Sequence, residues 1–221
     1  NKLILLTLFL LPLLTFSQTQ LGSDIDGEAA FDYSGYSVSI DSDGSHVAIG
    51  AWGDDGNGSR SGHVRIYSWD GSAWSQVGND IDGEAASDNS GISVSIDSDG
   101  SHVAIGAYNN DATGTNAGHV RIYSWDGSAW SQVGNDIDGE AAFDNSGRSV
   151  SIDSDGSHVA IGAYLNDGTG TNAGHVRIYS WDGSAWTQVG NDIDGEAAID
   201  YSGYSVSIDS DGSHVAIGAP N

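Results

Sequence analysis

The sequence predicts an all-β fold: β-propeller blades of four antiparallel strands each, with about 3.5 blades in the chain, and three observations carry that prediction. First, the string Asp-Ile-Asp-Gly-Glu-Ala-Ala begins at Asp24, Asp80, Asp136 and Asp192, a step of 56 residues without slippage. A fixed period of this length marks a propeller or a solenoid. Second, apolar residues within the unit alternate with period two and are cut into short runs by Gly-containing turns. Third, no stretch carries a helical apolar stripe, and the density of Gly and Ser opposes one. Residues 80–135 and 136–191 differ at only five positions (87/143, 92/148, 109/165, 112/168 and 131/187), so each unit does the same structural job.

Residues 1–17 precede the repeats. Lys2 is followed by an apolar run of 14 residues interrupted by Pro12, short of the roughly 20 that a membrane span needs. With Thr15 and Ser17 near a cut, this reads as a secretory signal peptide; a retained anchor is the other reading. The expectation is a secreted or cell-surface protein with no membrane span in the mature chain.

Residues 18–221 then divide into units at approximately 24–79, 80–135, 136–191 and a partial 192–221. Thr19–Asp24 parallels Ser75–Asp80, so it reads as a fourth strand left from an upstream blade, or one that closes a ring. The first complete blade has strands at 37–40, 46–51, 63–69 and 73–78. Asp41–Ser45 and Asp70-Gly71 supply hairpin turns, because Asp bonds the local backbone and Gly accepts positive φ. The last unit stops after two strands. Val38, Ile40, Val47, Ile49, Val64 and Ile66, with their equivalents, are the expected core between blades. A partial ring leaves its two terminal faces uncovered. The chain therefore reads as a fragment of a larger propeller, and the missing blades of the same polypeptide are expected partners.

Composition excludes several classes. Six Lys and Arg stand against 31 Asp and Glu, a net charge of −25. Nucleic acid is excluded as a partner, because phosphate neutralisation needs cations the chain lacks. With no Cys there is no disulfide, thiolate metal site or Cys nucleophile. One unit, 80–135, carries eight acids against Arg121 alone, so the acidity belongs to every blade. It suits solvation or weak repeated cation binding.

Ser-Gly-Tyr-Ser-Val-Ser-Ile at 34–40, Asp43-Gly44 and Val-Ala-Ile-Gly-Ala at 47–51 together resemble the FG-GAP repeat of integrin-alpha-type propellers. The copy at Val215–Pro220 ends in a literal Gly-Ala-Pro; Trp52, Tyr108 and Tyr164 stand at that Pro in the other copies. The Phe-Gly of the family's name appears as Ser34-Gly35, Ser90-Gly91, Ser146-Gly147 and Ser202-Gly203. The nearer likeness is to the bacterial secreted variant, in which an acidic loop and a Val-x-Ile-Tyr-x-Trp strand follow. The resemblance covers about 21–221 and implies a propeller of about seven blades, commonly engaged in adhesion or binding.

Calcium is the candidate cofactor. It takes several oxygens, which alternate carboxylates in a Gly-containing loop can supply. By the resemblance, a calcium loop would lie between the first two strands, at Asp41/Asp43, Asp97/Asp99 and Asp153/Asp155. This loop is shorter than the family's, and His46 falls where the family has a final Asp. The alternative is a tight turn in which Asp bonds local N–H groups. A second acidic set lies in the connectors, at Asp24/Asp26/Glu28/Asp32, Asp80/Asp82/Glu84/Asp88 and Asp136/Asp138/Glu140/Asp144. Its spacing of 1, 3, 5 and 9 can surround one centre, although Ala29 stands where a sharp turn wants Gly; a solvated connector is the alternative. Two His rows, opening the second and third strands, fall at opposite ends of a blade and read as structural.

Trp74, Trp130 and Trp186 lie across an Asp-Gly turn from Trp69, Trp125 and Trp181. They read either as cross-strand pairs that stabilise the outer hairpin or as sugar-stacking platforms. Catalysis has no supporting motif, and repetition disfavours a single asymmetric active site. The sequence thus predicts a non-enzymatic secreted or cell-surface interaction or adhesion scaffold that meets a protein or glycan ligand. Its alternatives are a multivalent lectin-like propeller and a non-catalytic repeat region of a larger secreted enzyme.

Overall fold

The computed structural model describes residues 19–221, so the signal-peptide expectation for 1–17 lies outside the described residues. Within them are 17 strands and no helix. In the first blade, β1 (Ser37–Ile40), β2 (His46–Ala51), β3 (His63–Trp69) and β4 (Trp74–Gln76) pair in sequential antiparallel order. A two-residue strand, β5 (Ile81–Asp82), then pairs with the other end of β3 through Val64↔Ile81 and His63↔Asp82. The second blade repeats this as β6 (Ser93–Ile96), β7 (His102–Ala107), β8 (His119–Trp125), β9 (Trp130–Gln132) and β10 (Ile137–Asp138). The third comprises β11 (Ser149–Ile152), β12 (His158–Ala163), β13 (His175–Trp181), β14 (Trp186–Gln188) and β15 (Ile193–Asp194). A hairpin of β16 (Ser205–Ile208) and β17 (Val215–Gly218) ends the array.

Three details differ from the sequence expectation. Strand β4 stops at Gln76 rather than continuing to residue 78. One further ladder bond forms, from the Val77 N–H to the Ile66 carbonyl at 2.8 Å, and Gly78, at φ +75°, then turns the chain away. The expected strand at Thr19–Asp24 is absent: β4 is held by the third strand of its own blade, and residues 19–24 have no such neighbour among the described residues. Their Leu21 carbonyl instead accepts the Trp74 indole N–H at 3.0 Å. Finally, β5 and its equivalents occupy what the sequence presents as connector, because a two-residue strand is too short to show a period.

Register explains the core. Pairing of Val38 with Ile49, Ile40 with Val47 and Ile49 with Arg65 places these residues on one face of the blade, together with Tyr67. Ser37, Ser39, Ala48, Gly50, Val64 and Ile66 occupy the other. Where two blades adjoin, the facing surfaces are covered. Ala48, Val64 and Ile66 pack against Val94, Ile96, Val103 and Ile105 of the next blade. Likewise Ala104, Val120 and Ile122 pack against Val150, Ile152, Val159 and Ile161. The serines that alternate with valine are therefore not a solvated side. Ser37 and Ser93 donate their hydroxyls to the carbonyls of Gly91 and Gly147 in the following blade, at 2.7 and 2.8 Å. Ser39 Oγ accepts the Ile96 N–H at 3.0 Å. The expected core is present, divided over two faces, except at the end of the array. There Val38 and Ile40 are 64% and 60% exposed, whereas Val94 and Ile96 are 8% and 6% exposed.

Candidate functional site

The connectors do not gather their four carboxylates on one centre. In the second unit, Asp88 is buried and caps its own loop, with its Oδ2 accepting the Ala85 N–H at 3.0 Å and the Asn110 amide at 3.1 Å. Asp144 does the same for Ala141 and Asn166, and Asp32 for Ala29. Asp80 and Asp136 accept a Gln amide, from Gln76 and Gln132, each at 2.6 Å; Asp24 accepts one from Gln20 at 2.7 Å. Asp82 and Asp138 lie in the short fifth strands, and burial raises both carboxyls above their ordinary range. Their backbone carbonyls, like that of Asp26, accept an Arg side chain. Glu28, Glu84 and Glu140 face Arg65, Arg121 and Arg177 at 3.4, 3.5 and 3.6 Å.

The connectors do meet the second His row. His119 is 1% exposed, and its Nδ1 lies 3.9 Å from Glu84 Oε2 and 3.7 Å from Asp136 Oδ2. His175 sits at 3.9 Å from Glu140 and 3.7 Å from Asp192. In the first blade His63 lies 3.3 Å from Asp54 and 3.9 Å from Asp80. These acidic clusters can hold a metal ion. The sequence hid them because in the second and third blades their ligands come from the connector entering the blade, its third strand and the connector leaving it, while in the first blade Asp54 comes from the loop between the second and third strands. Burial, reinforced by Arg121, lowers the His119 pKa to about 4, leaving the ring neutral at neutral pH with a lone pair to offer. Burial raises Glu84, although Arg121 opposes the shift.

The hairpin Asp residues are committed to their own turns. Asp43, Asp99 and Asp155 each accept a Ser N–H two residues on, at 2.9 to 3.0 Å. Asp41, Asp97 and Asp153 each accept a Ser hydroxyl and face a His Nδ1 at 2.7 to 2.8 Å. The two His rows stand at opposite ends of the blade, since His46 pairs with Ser68 and His63 with Ala51.

The Asp97 hydrogen bond raises the His102 pKa above its ordinary value; burial opposes it, and Asp97, Asp99 and Asp155 add attraction for the charged ring. A raised folded pKa stabilises fully below the unfolded value of about 6.5, and that stability is lost as pH rises through the folded pKa. The gap in melting temperature between the wild type and His102→Gln is therefore expected to be wider at pH 5.5 than at pH 8.5 (both about a unit or more from 6.5). A gap independent of pH would exclude this role.

Each outer hairpin carries a directly opposed Trp pair, with ring centroids 5.4 Å apart in all three blades. The Trp130 and Trp186 indoles donate to the Val77 and Val133 carbonyls of the preceding unit, both at 2.8 Å. They thereby latch blade to blade. Beside Trp74, Trp130 and Trp186 open clefts. That beside Trp130 has a volume of about 350 Å³ and is lined by Asn79, Asp80, Asp82 and Tyr123. Equivalent clefts of about 330 and 270 Å³ lie beside Trp74 and Trp186. Among the described residues no helix is long and apolar enough to cross a membrane.

Comparison with known proteins agrees with this architecture. The chain resembles in fold a 6-phosphogluconolactonase candidate from Bacteroides uniformis, with a TM-score of 0.54 and 11% identity over 82% of this chain and 46% of that one. A second such candidate, from Bacteroides fragilis, gives a TM-score of 0.51 and 11% identity over 81% and 40%. Hydrazine synthase of Kuenenia stuttgartiensis gives 0.54 and 16% over 82% and 49%. The chain thus spans less than half the length of each. No curated protein matches the sequence. The FG-GAP repeat family matches residues 24–67, 80–123 and 136–179, more than half of the chain and once in every complete blade. With that recurrence and the blade geometry, the chain belongs to the FG-GAP repeat family and is built as successive β-propeller blades.

Proposed function

We propose that the chain is a secreted or cell-surface interaction scaffold without catalytic activity, engaging its ligand through equivalent sites repeated from blade to blade. The observation that supports this reading is the threefold recurrence of the outer Trp pairs and of the clefts beside them, of about 350, 330 and 270 Å³. A repeated surface multiplies weak contacts with a repeating or clustered ligand. The neighbours described as lactonases share the fold at 11% identity, and fold alone does not transfer chemistry.

A second reading, carbohydrate binding, draws on one observation. Each cleft sets a Trp and a Tyr beside Asp residues, with an Asn in the clefts of Trp130 and Trp186 and Ser23 in its place beside Trp74, apolar faces next to hydroxyl-binding groups. Calcium enters as an accessory: the connector carboxylates lie apart, so calcium would bind them weakly, at about millimolar concentration.

The test presents the chain to an array of glycans and extracellular proteins, beside a Trp74→Ala, Trp130→Ala, Trp186→Ala variant checked for retained β-structure. Binding to a protein ligand by both forms supports the scaffold. Sugar binding lost in the triple variant selects the lectin reading. A chelator is expected to leave either result unchanged. Turnover of a lactone by the purified chain would overturn the non-catalytic reading.

A further inference from the structure

The geometry points to a site for a borderline divalent cation of the Zn2+ or Co2+ class in the second and third blades, formed by Glu84, His119 and Asp136 and repeated as Glu140, His175 and Asp192. The acidic cluster alone would not carry this. What does is His119, which is almost wholly buried and whose ring nitrogens both lack a hydrogen-bond partner. A buried imidazole without partners costs stability. Its Nδ1 points between two carboxylate oxygens at 3.7 and 3.9 Å, too far for hydrogen bonds. Two donors that share one ion at about 2.1 Å each stand roughly 3–4 Å apart, which is the separation found.

The carboxylates are held ready for this arrangement. Glu84 turns Oε1 to Arg121 at 3.5 Å and leaves Oε2 for the His119 side. Asp136 accepts the Gln132 amide on Oδ1 at 2.6 Å and leaves Oδ2 free. Such outer partners orient ligands in metal sites. The His is dry, while the Glu84 and Asp136 side chains are 44% and 26% exposed, so an ion has a path in and a solvent-facing position remains open. One imidazole with two carboxylates suits zinc or cobalt, whereas calcium prefers six to eight oxygens. Glu140, His175 and Asp192 reproduce the distances at 3.9 and 3.7 Å.

The test uses the full chain, stripped of metal, in equilibrium dialysis against Zn2+ with the bound ions counted by elemental analysis. The Co2+ form is also recorded for the visible absorption of nitrogen and oxygen ligation. Wild-type protein is expected to bind Zn2+ at least about tenfold more tightly than Ca2+, and Glu84→Gln to lose one ion per chain or weaken it by about tenfold or more. His119→Gln is expected to alter the Co2+ spectrum. Should that variant fail to fold, Glu84→Gln and Asp136→Asn carry the test, because both retain side-chain shape at partly exposed positions. Failure to bind Zn2+ at millimolar concentration would overturn the proposal. So would unchanged stoichiometry and affinity in both carboxamide variants, or calcium bound as tightly as zinc.

Discussion

Gly106→Ala is expected to destabilise the array by about 3 kcal/mol or more, read as a lowered midpoint in urea. A Cβ at this position would overlap the carbonyl oxygen of Gly147, a backbone atom of the next blade, as well as Ser93 Oγ. The oxygen cannot rotate aside as a side chain would. Relief requires the blades to separate, and separation breaks the Ser93 to Gly147 hydrogen bond of 2.8 Å and loosens the core on either side. The matched control is Gly218→Ala, in the same Val-Ala-Ile-Gly sequence. There the new Cβ would meet chiefly the Ser205 side chain, with no carbonyl of a following blade. Its cost is expected to stay near 1 kcal/mol or below. Equal losses from the two substitutions would show that the glycine is kept for strand conformation and not for blade approach.

Ile96→Ala is expected to cost about 2–5 kcal/mol, the range for deleting a buried branched side chain and leaving part of the cavity unfilled. Ile40→Ala, at the same place in an identical Ser-Val-Ser-Ile strand, is expected to cost under about 0.5 kcal/mol. The difference lies in the neighbours. Ile96 packs in a cluster with Ala48, Val64 and Ile66 of the preceding blade and is 6% exposed, whereas Ile40 is 60% exposed. Urea midpoints of the two variants test this directly. Similar losses would mean that a further surface covers Ile40 in solution. A protein ligand, a second copy or further blades could each supply that cover.

These two comparisons locate the limit of what the sequence shows. The period of 56 residues, the hairpin turns and the strand bounds His46–Ala51 and His63–Trp69 are legible because each depends on residues close together in the chain. Alternation in Ser-Val-Ser-Ile likewise gives the right strand, but it suggests one dry and one wet face. Where blades adjoin, both faces are covered, and the Ser hydroxyls bond the next blade. The fifth strand is missed because two residues carry no periodic signal.

The candidate metal groups were hidden for a related reason. The connector spacing at Asp80, Asp82, Glu84 and Asp88 invites a single loop site. The extended pairing of Ile81–Asp82 and the capping by Asp88 spread those carboxylates instead. Glu84 then meets His119 and Asp136, which belong to later segments. Arg121 is the lone cation of its unit. It proves to be the side chain that ties the Asp82 carbonyl, at 2.7 Å, and faces Glu84.

By itself, the sequence determined the class of fold, the repeat, the turns and most of the core residues, since these follow from local backbone preference and the two-residue period of a strand. The tertiary structure alone decided which face of each strand meets which neighbour, which of the equivalent isoleucines is buried, and which carboxylates share a histidine. Those outcomes depend on the stacking of blades, where side chains from segments about one repeat apart come within a few ångströms, and identical local sequences carry no record of what lies beside them.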